Sequence, residues 1–113
     1  MNADQKFWAD RWRVKLALSL VSYALDLPVA SIEGRSRDPE VLLARRAAMY
    51  LSCVALNLSS KRVARAFGRD SVTVADACRC VEDMRSEPKF DRWIDALERA
   101  AQAAPAPFKG RAE

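Results

Sequence analysis

Histidine is missing from the 113 residues, and glycine and cysteine each occur three times. Without histidine the chain lacks the most common general base and the usual partner of a serine or cysteine nucleophile. Three glycines leave no Walker or dinucleotide-binding fingerprint. Cys53, Cys78 and Cys80 are odd in number, and a Cys-x-Cys pair with one distant cysteine is not a zinc spacing. They read as small apolar residues in a reducing compartment. No apolar run approaches the roughly 18–20 residues that cross a bilayer. The longest, "LALSLVSYAL", has Lys15 just before it and Asp26 after it, and Asp4 and Asp10 stand where a secretory signal would be positive. The expectation is a cytoplasmic protein that is not an enzyme and takes no cofactor, metal or small-molecule substrate. Residues 1–103 are expected to form one domain and 104–113 a flexible tail.

What is present is apolar substance for one core, 50% of residues, and a net charge of +4 that is unevenly spread. Residues 1–33 are neutral, residues 34–80 carry +5, residues 81–99 carry −2 and the remainder +1. The positive block consists of Arg35, Arg37, Arg45, Arg46, Lys61, Arg62, Arg65, Arg69 and Arg79 against four acids. Such a block suits a polyanion, because each neutralised phosphate releases condensed counterions. A solvated face has the same composition.

Apolar residues recur with a 3.6-residue period and nowhere alternate as in a strand, which predicts an all-α bundle of five to six helices. Phe7, Trp8, Val14, Leu18, Val21, Ser22 and Leu25 mark a long first helix, with Trp8 and Trp12 expected to pack inward, an exposed partner-binding stripe being the alternative. "PVASIE" makes a short turn of helix. Asp38-Pro39-Glu40 is a start signal, with Asp38 as capping residue, and "EVLLARRAAMYLSCVAL" should be the most buried helix. Arg45 and Arg46 fall near its beginning, where the helix is expected to reach solvent or a phosphate. Ion pairs with Glu40 or Glu33 are the alternative.

Residues 62–79, "RVARAFGRDSVTVADACR", pose the functional question. Ser59 caps a helix over Ser60–Phe67 that turns Val63, Ala64 and Phe67 inward and Lys61, Arg62, Arg65 and Arg69 outward. Gly68 supplies the positive φ that ends it, and Asp70 caps a new helix whose inward face is Val74, Ala77, Cys78, Val81 and Met84. Ser71, Val72 and Thr73 make a first turn of short side chains able to approach a groove closely. Ser86-Glu87-Pro88 repeats the start signal and opens a last helix with Phe90, Trp93, Ile94 and Leu97 inward. In the tail, Phe108 is either unattached or a short docking motif.

"GRSRDPEVLLARRAAMYL", "LNLSSKRVARAFGRD" and "SVTVADACRCVEDMR" resemble, in order and spacing, the C-terminal helix-turn-helix domain of the bacterial replication initiator DnaA. That family shows a basic Ser-Arg loop, an "ARxxAMYL" helix and a helix-turn-helix ending in "GRDHTTV", and the match runs over about residues 14–99. The resemblance implies double-stranded DNA as partner. It puts Arg35 and Arg37 in a loop reaching the minor groove or backbone. Lys61, Arg62 and Arg65 fall on the helix that crosses the backbone, and Arg69 and Asp70 at the mouth of the recognition helix. Thr73 matches the second Thr of the family motif, while the family's His is Ser71 here and its first Thr is Val72. A different recognised sequence follows, since a valine methyl packs on a thymine methyl where a hydroxyl would bond. Asp70 could also accept from a cytosine amine, and Asp76 and Arg79 lie towards base edges.

The pattern is similar to stand-alone forms of the domain found in alphaproteobacteria and associated with transcription, including activation of gene transfer agent genes. That implies a regulator working with a protein partner. With 113 residues there is no room for the initiator's ATPase module, so origin melting by this chain alone is not expected. Two other readings stay open: a protein-interaction module on the same fold, and a regulator competing at the initiator's own boxes.

Overall fold

The structure is a computed structural model describing residues 2–108, apart from the side chains of residues 3–6 and 8. Six helices follow one another: α1 (Ala3–Leu25), α2 (Val29–Glu33), α3 (Pro39–Val54), α4 (Ser60–Phe67), α5 (Ser71–Met84) and α6 (Pro88–Ala103). Among the described residues there is no strand, as the periodicity predicts. No helix among them is long and apolar enough to cross a membrane.

The hydrophobic pattern explains why α3 lies at the centre. It is apolar on most of its circumference, with Ala44, Ala47, Ala48, Met49, Tyr50, Leu51 and Ser52 all buried, and it packs against every other helix. Around it close Val14, Ala17, Leu18 and Val21 of α1, Ile32 of α2, Val63 of α4, Val74 and Val81 of α5, and Ile94 and Leu97 of α6. Truncating such a residue, Leu51 for example, typically costs about 2–5 kcal/mol through lost burial and the cavity left behind. The small residues Ala44, Ala47 and Ala48 let neighbouring helices approach α3 closely.

Three corners are set by left-handed residues. Asp26 (φ 54°) ends α1, Asn57 (φ 60°) turns the chain between α3 and α4, and Gly68 (φ 69°) ends α4. Asp and Asn are the side chains that tolerate this region best after glycine. Ser59 caps α4, accepting from the Arg62 N–H, and Glu87 caps α6, accepting from the Lys89 and Phe90 N–H groups.

Three expectations need correction. Asp38 stands at the start of α3, but its side chain accepts no capping bond; its own N–H donates to the Ser36 hydroxyl instead. Met84 is not an inward residue: it is exposed as the last residue of α5, just before the chain turns off towards α6. Arg45 does not emerge from α3 but is among its buried residues. Trp12 is half-buried, while the Trp8 side chain lies outside the described residues. Of the expected tail, Pro105 and Pro107 share a shallow groove with Trp12, Lys15, Leu16 and Ser19 of α1. Phe108 is exposed, and residues 109–113 lie outside the described residues.

Candidate nucleic-acid interface

The corner between α4 and α5 follows from a few bonds. At the end of α4 the Arg69 N–H reaches back to the Ala64 carbonyl (2.9 Å), closing the turn around Gly68. A side chain at that left-handed φ would be strained, so glycine belongs there. Asp70 then takes the Thr73 N–H on Oδ1 (2.8 Å) and starts α5. That bond holds its carboxyl below the usual carboxylate range.

The helix α5 is seated against α3 and α4 by Val74, Ala77 and Val81. With those inward, helical geometry leaves Val72, Thr73, Asp76 and Arg79 on the outer side, and all four are exposed. Val72 is 67% exposed, an apolar side chain offered to solvent by the first turn, while Ser71 beside it is half-buried. Asp76 and Arg79, one turn apart, pair with each other at 2.8 Å.

The basic residues of the middle section prove to be of two kinds. Arg35 and Arg37, in the loop after α2, and Lys61, at the start of α4, are exposed, and none of them is ion-paired with a described carboxylate. Arg46 is half-buried and likewise makes no ion pair with a described carboxylate, whereas Arg45, Arg62, Arg65, Arg69 and Arg79 are engaged within the chain. Arg62 is not a free cation of the α4 surface: its guanidinium makes a two-pronged bond to the buried Asp10 of α1, 2.8 and 2.5 Å, which raises its pKa. Arg65 lies 4.7 Å over the Phe7 ring, a cation–π contact that anchors the start of α1.

Arg45 is neither a phosphate hand at the surface nor paired with Glu40 or Glu33. It is 4% exposed, and it donates through Nε to the Ile32 carbonyl (2.8 Å) and through Nη1 to the Ser36 carbonyl (3.0 Å). Arg69 donates to the Glu33 and Gly34 carbonyls at 3.1 and 2.6 Å. Two arginines from different elements thus tie the loop that carries Arg35 and Arg37 to α3 and to the mouth of α5. As a result Arg37, Arg45, Arg46, Arg69, Thr73 and Asp76 line one pocket of about 200 Å³ between α3 and α5.

Sequence reasoning missed both internal roles. Asp10 was the available signal: it precedes Val14 by one helical turn, on the inward stripe of α1, where an acid requires a cation. Nothing local marks Arg45 as buried, because its partners are carbonyl groups that every residue carries.

A short second helix held across a glycine corner, with an outward first turn and a basic loop tied beside it, defines a helix-turn-helix DNA-binding domain. The bacterial DnaA protein helix-turn-helix family matches residues 14–81, and the chain belongs to that family. The chromosomal replication initiator DnaA of Thermodesulfovibrio yellowstonii is 33% identical over 86 residues, 74% of this chain and 20% of that protein. A DnaA of Chlamydia pneumoniae is 39% identical over 61 residues, 54% of this chain and 13% of that protein. Among solved structures, a DNA replication initiation factor superposes with a TM-score of 0.79 at 30% identity, covering 88% of this chain and 31% of the other. The replication initiator DnaA bound to AMPPCP and single-stranded DNA gives 0.77 at 29%, covering 88% and 30%. The chain spans about a fifth of the length of the first curated relative.

Proposed function

We propose that this chain binds double-stranded DNA in a sequence-dependent way and regulates transcription together with a protein partner. The observation that carries the reading is the outward first turn of α5, held beside a tethered loop whose exposed Arg35 and Arg37 make no ion pair among the described residues. In this reading α5 enters the major groove. Ser71, Val72, Thr73, Asp76 and Arg79 face base edges, while Arg35 and Arg37 lie on the backbone or in the adjacent minor groove. Lys61, at the start of α4, meets a phosphate. Asp70 serves first as the cap of α5 and only through its second oxygen as an acceptor. Arg62, Arg65 and Arg45 act by holding the fold and the loop, and Arg69 acts both on the loop and towards the DNA.

The resemblance to stand-alone regulators supports the transcriptional role. A structural neighbour is recorded with single-stranded DNA, whereas a groove-entering helix needs the duplex.

The test is selection of bound duplexes from a randomised pool at a stated salt concentration, with the selected sequence also offered as a single strand. One enriched motif, bound at least tenfold more weakly as a single strand, is the expected result. No enrichment, or equal binding of the single strand, contradicts the reading.

A further inference from the structure

We propose that Cys53 of α3 and Cys78 of α5 form a redox-active dithiol that a small peroxide converts into a disulfide, stapling the central helix to α5. The two helices already meet along this stretch. Three residues before Cys53, the Tyr50 hydroxyl donates to Glu82 at 3.0 Å, and Glu82 lies four residues beyond Cys78. The two thiols are themselves in hydrogen-bond contact. Both are half-buried against the hydrophobic core, so they are held in place and still within reach of a small oxidant. Cys80 stands apart. Two positions further on, it is turned by about 200° around α5, where it lines the pocket beside Met49 and Arg45.

The two thiols are not equivalent. Cys53 also bonds the side chain of Ser60, the first residue of α4, whereas Cys78 faces the Glu82 carboxylate. The bond from Cys78, helped by that from Ser60, lowers the Cys53 pKa against the opposing effect of burial. Cys78 is pushed up by its bond to Cys53, by burial and by the charges of Cys53 and Glu82. Donors that stabilise a thiolate favour the form that attacks, so Cys53 is the nucleophile and Cys78 the resolving thiol. The Cys53 thiolate attacks one peroxide oxygen and the O–O bond breaks. The departing hydroxide takes up the Cys53 proton, leaving a sulfenic acid and one water. The Cys78 sulfur then attacks the sulfenic sulfur. An S–S bond forms, the S–O bond breaks, and the hydroxyl leaves as water with the Cys78 proton. Two thiols are oxidised to one disulfide, and one peroxide is reduced to two waters. An incoming dithiol reopens the bond by exchange, which makes it transient in a reducing compartment. The ring so closed contains all of α4 and the Gly68 corner, so the bond braces the helix-turn-helix itself. None of this chemistry rests on the DNA-binding reading.

The test uses the full chain, reduced, freed of reductant and treated with about two equivalents of hydrogen peroxide. Free thiols are expected to fall from three to one. The monomer should lose about 2 Da, the two hydrogens of one disulfide, and a digest should link Cys53 to Cys78. Dithiothreitol should then restore all three thiols. Cys80→Ser should form the same link at a rate within about twofold of the wild type. In Cys78→Ser, whose hydroxyl can still donate to Cys53, a cyclic dione should trap the sulfenic acid on Cys53. Three thiols persisting after peroxide, a link through Cys80, or a link between two chains overturns the proposal. Sulfenic acid trapped on Cys80 as fast as on Cys53 overturns it as well. Should Cys78→Ser fail to fold by circular dichroism, alkylation of the reduced wild type by iodoacetamide at neutral pH takes its place. Cys53 is then expected to react at least about fivefold faster than Cys80, and equal rates remove Cys53 as the nucleophile.

Discussion

The two ends of α5 treat arginine in opposite ways. At the C-terminal end, Arg85 sits against Tyr50 of α3, its guanidinium donating to the Tyr50 hydroxyl at 2.9 Å. It bonds Asp91 at 2.6 Å and Glu98 more closely still, with Asp95 at 3.9 Å. Burial alone would lower its pKa, but the bonds to Asp91, Tyr50 and Glu98 win and hold it above its ordinary value. At the N-terminal end, four arginines converge on a pocket whose single carboxylate is committed elsewhere. The same residue type at one end is a lock between helices and at the other an unmet demand for negative charge. Compensation by neighbouring carboxylates, and not the count of basic residues, distinguishes the two ends.

The difference can be broken from the structural end first. Arg85→Met strands the Asp91 and Glu98 carboxylates, while Asp95 keeps Arg99 and the Tyr50 hydroxyl keeps Glu82, and it should cost about 2–3 kcal/mol of stability, read by urea melting. Duplex affinity of the folded fraction should stay within about twofold, since nothing at that end meets DNA in this account. Weakened DNA binding with unchanged stability would erase the distinction.

At the other end, Arg69→Ala removes both a loop tether and a charge, and should weaken specific binding by about 1–3 kcal/mol in a titration while the fold persists. Unchanged binding by this variant would displace the interface from the mouth of α5.

A smaller effect concerns Val72. An exposed valine in the first turn reads a methyl group better than a hydrogen-bonding base edge. Replacing thymine by uracil at one position of the selected site should therefore cost the wild type about 0.8 kcal/mol, the value of one buried methylene-sized group. Val72→Ala should be nearly indifferent to that change. If every uracil substitution is neutral to the wild type, Val72 does not read the groove.

The smallest effect is a pH dependence. The Asp70 carboxyl is held below its ordinary value in the folded chain, first by the backbone bond from Thr73. Its contribution is therefore present above the unfolded carboxylate range and is lost as pH falls through the lower folded value. Asp70→Ser keeps a cap without the charge, so its melting point should fall less on acidification below pH 3.8 than that of the wild type. Parallel curves would show that the cap carries no such linkage.

Most of the fold was legible because it is written in local chemistry. The bounds of α4 were read from Ser59 and Gly68, that of α5 from Asp70, and the central place of α3 from its apolar circumference. The start of α3 was found although the expected Asp38 cap bond is absent, because Pro39 alone favours a first helical position. Met84 was misplaced because it is the last residue of α5, where the inward stripe has run beyond the buried core. The candidate interface was legible only in part. Exposure of Val72, Thr73, Asp76 and Arg79 follows from spacing along one helix. The fates of Arg45 and Arg62 depend on groups 9 to 52 positions away in the chain, and no local pattern encodes a partner at that separation.

The most direct test of the account compares one free cation with one compensated cation through the salt dependence of duplex binding. The slope of log affinity against log salt is measured for the wild type, for Arg37→Ala, and for the pair-replacing variant Asp10→Asn with Arg62→Gln. The account predicts that Arg37→Ala reduces the slope by about one, the signature of one lost phosphate contact, and that the paired replacement leaves it unchanged. An equal reduction in both would contradict it, because Arg62 would then be meeting phosphate as Arg37 does.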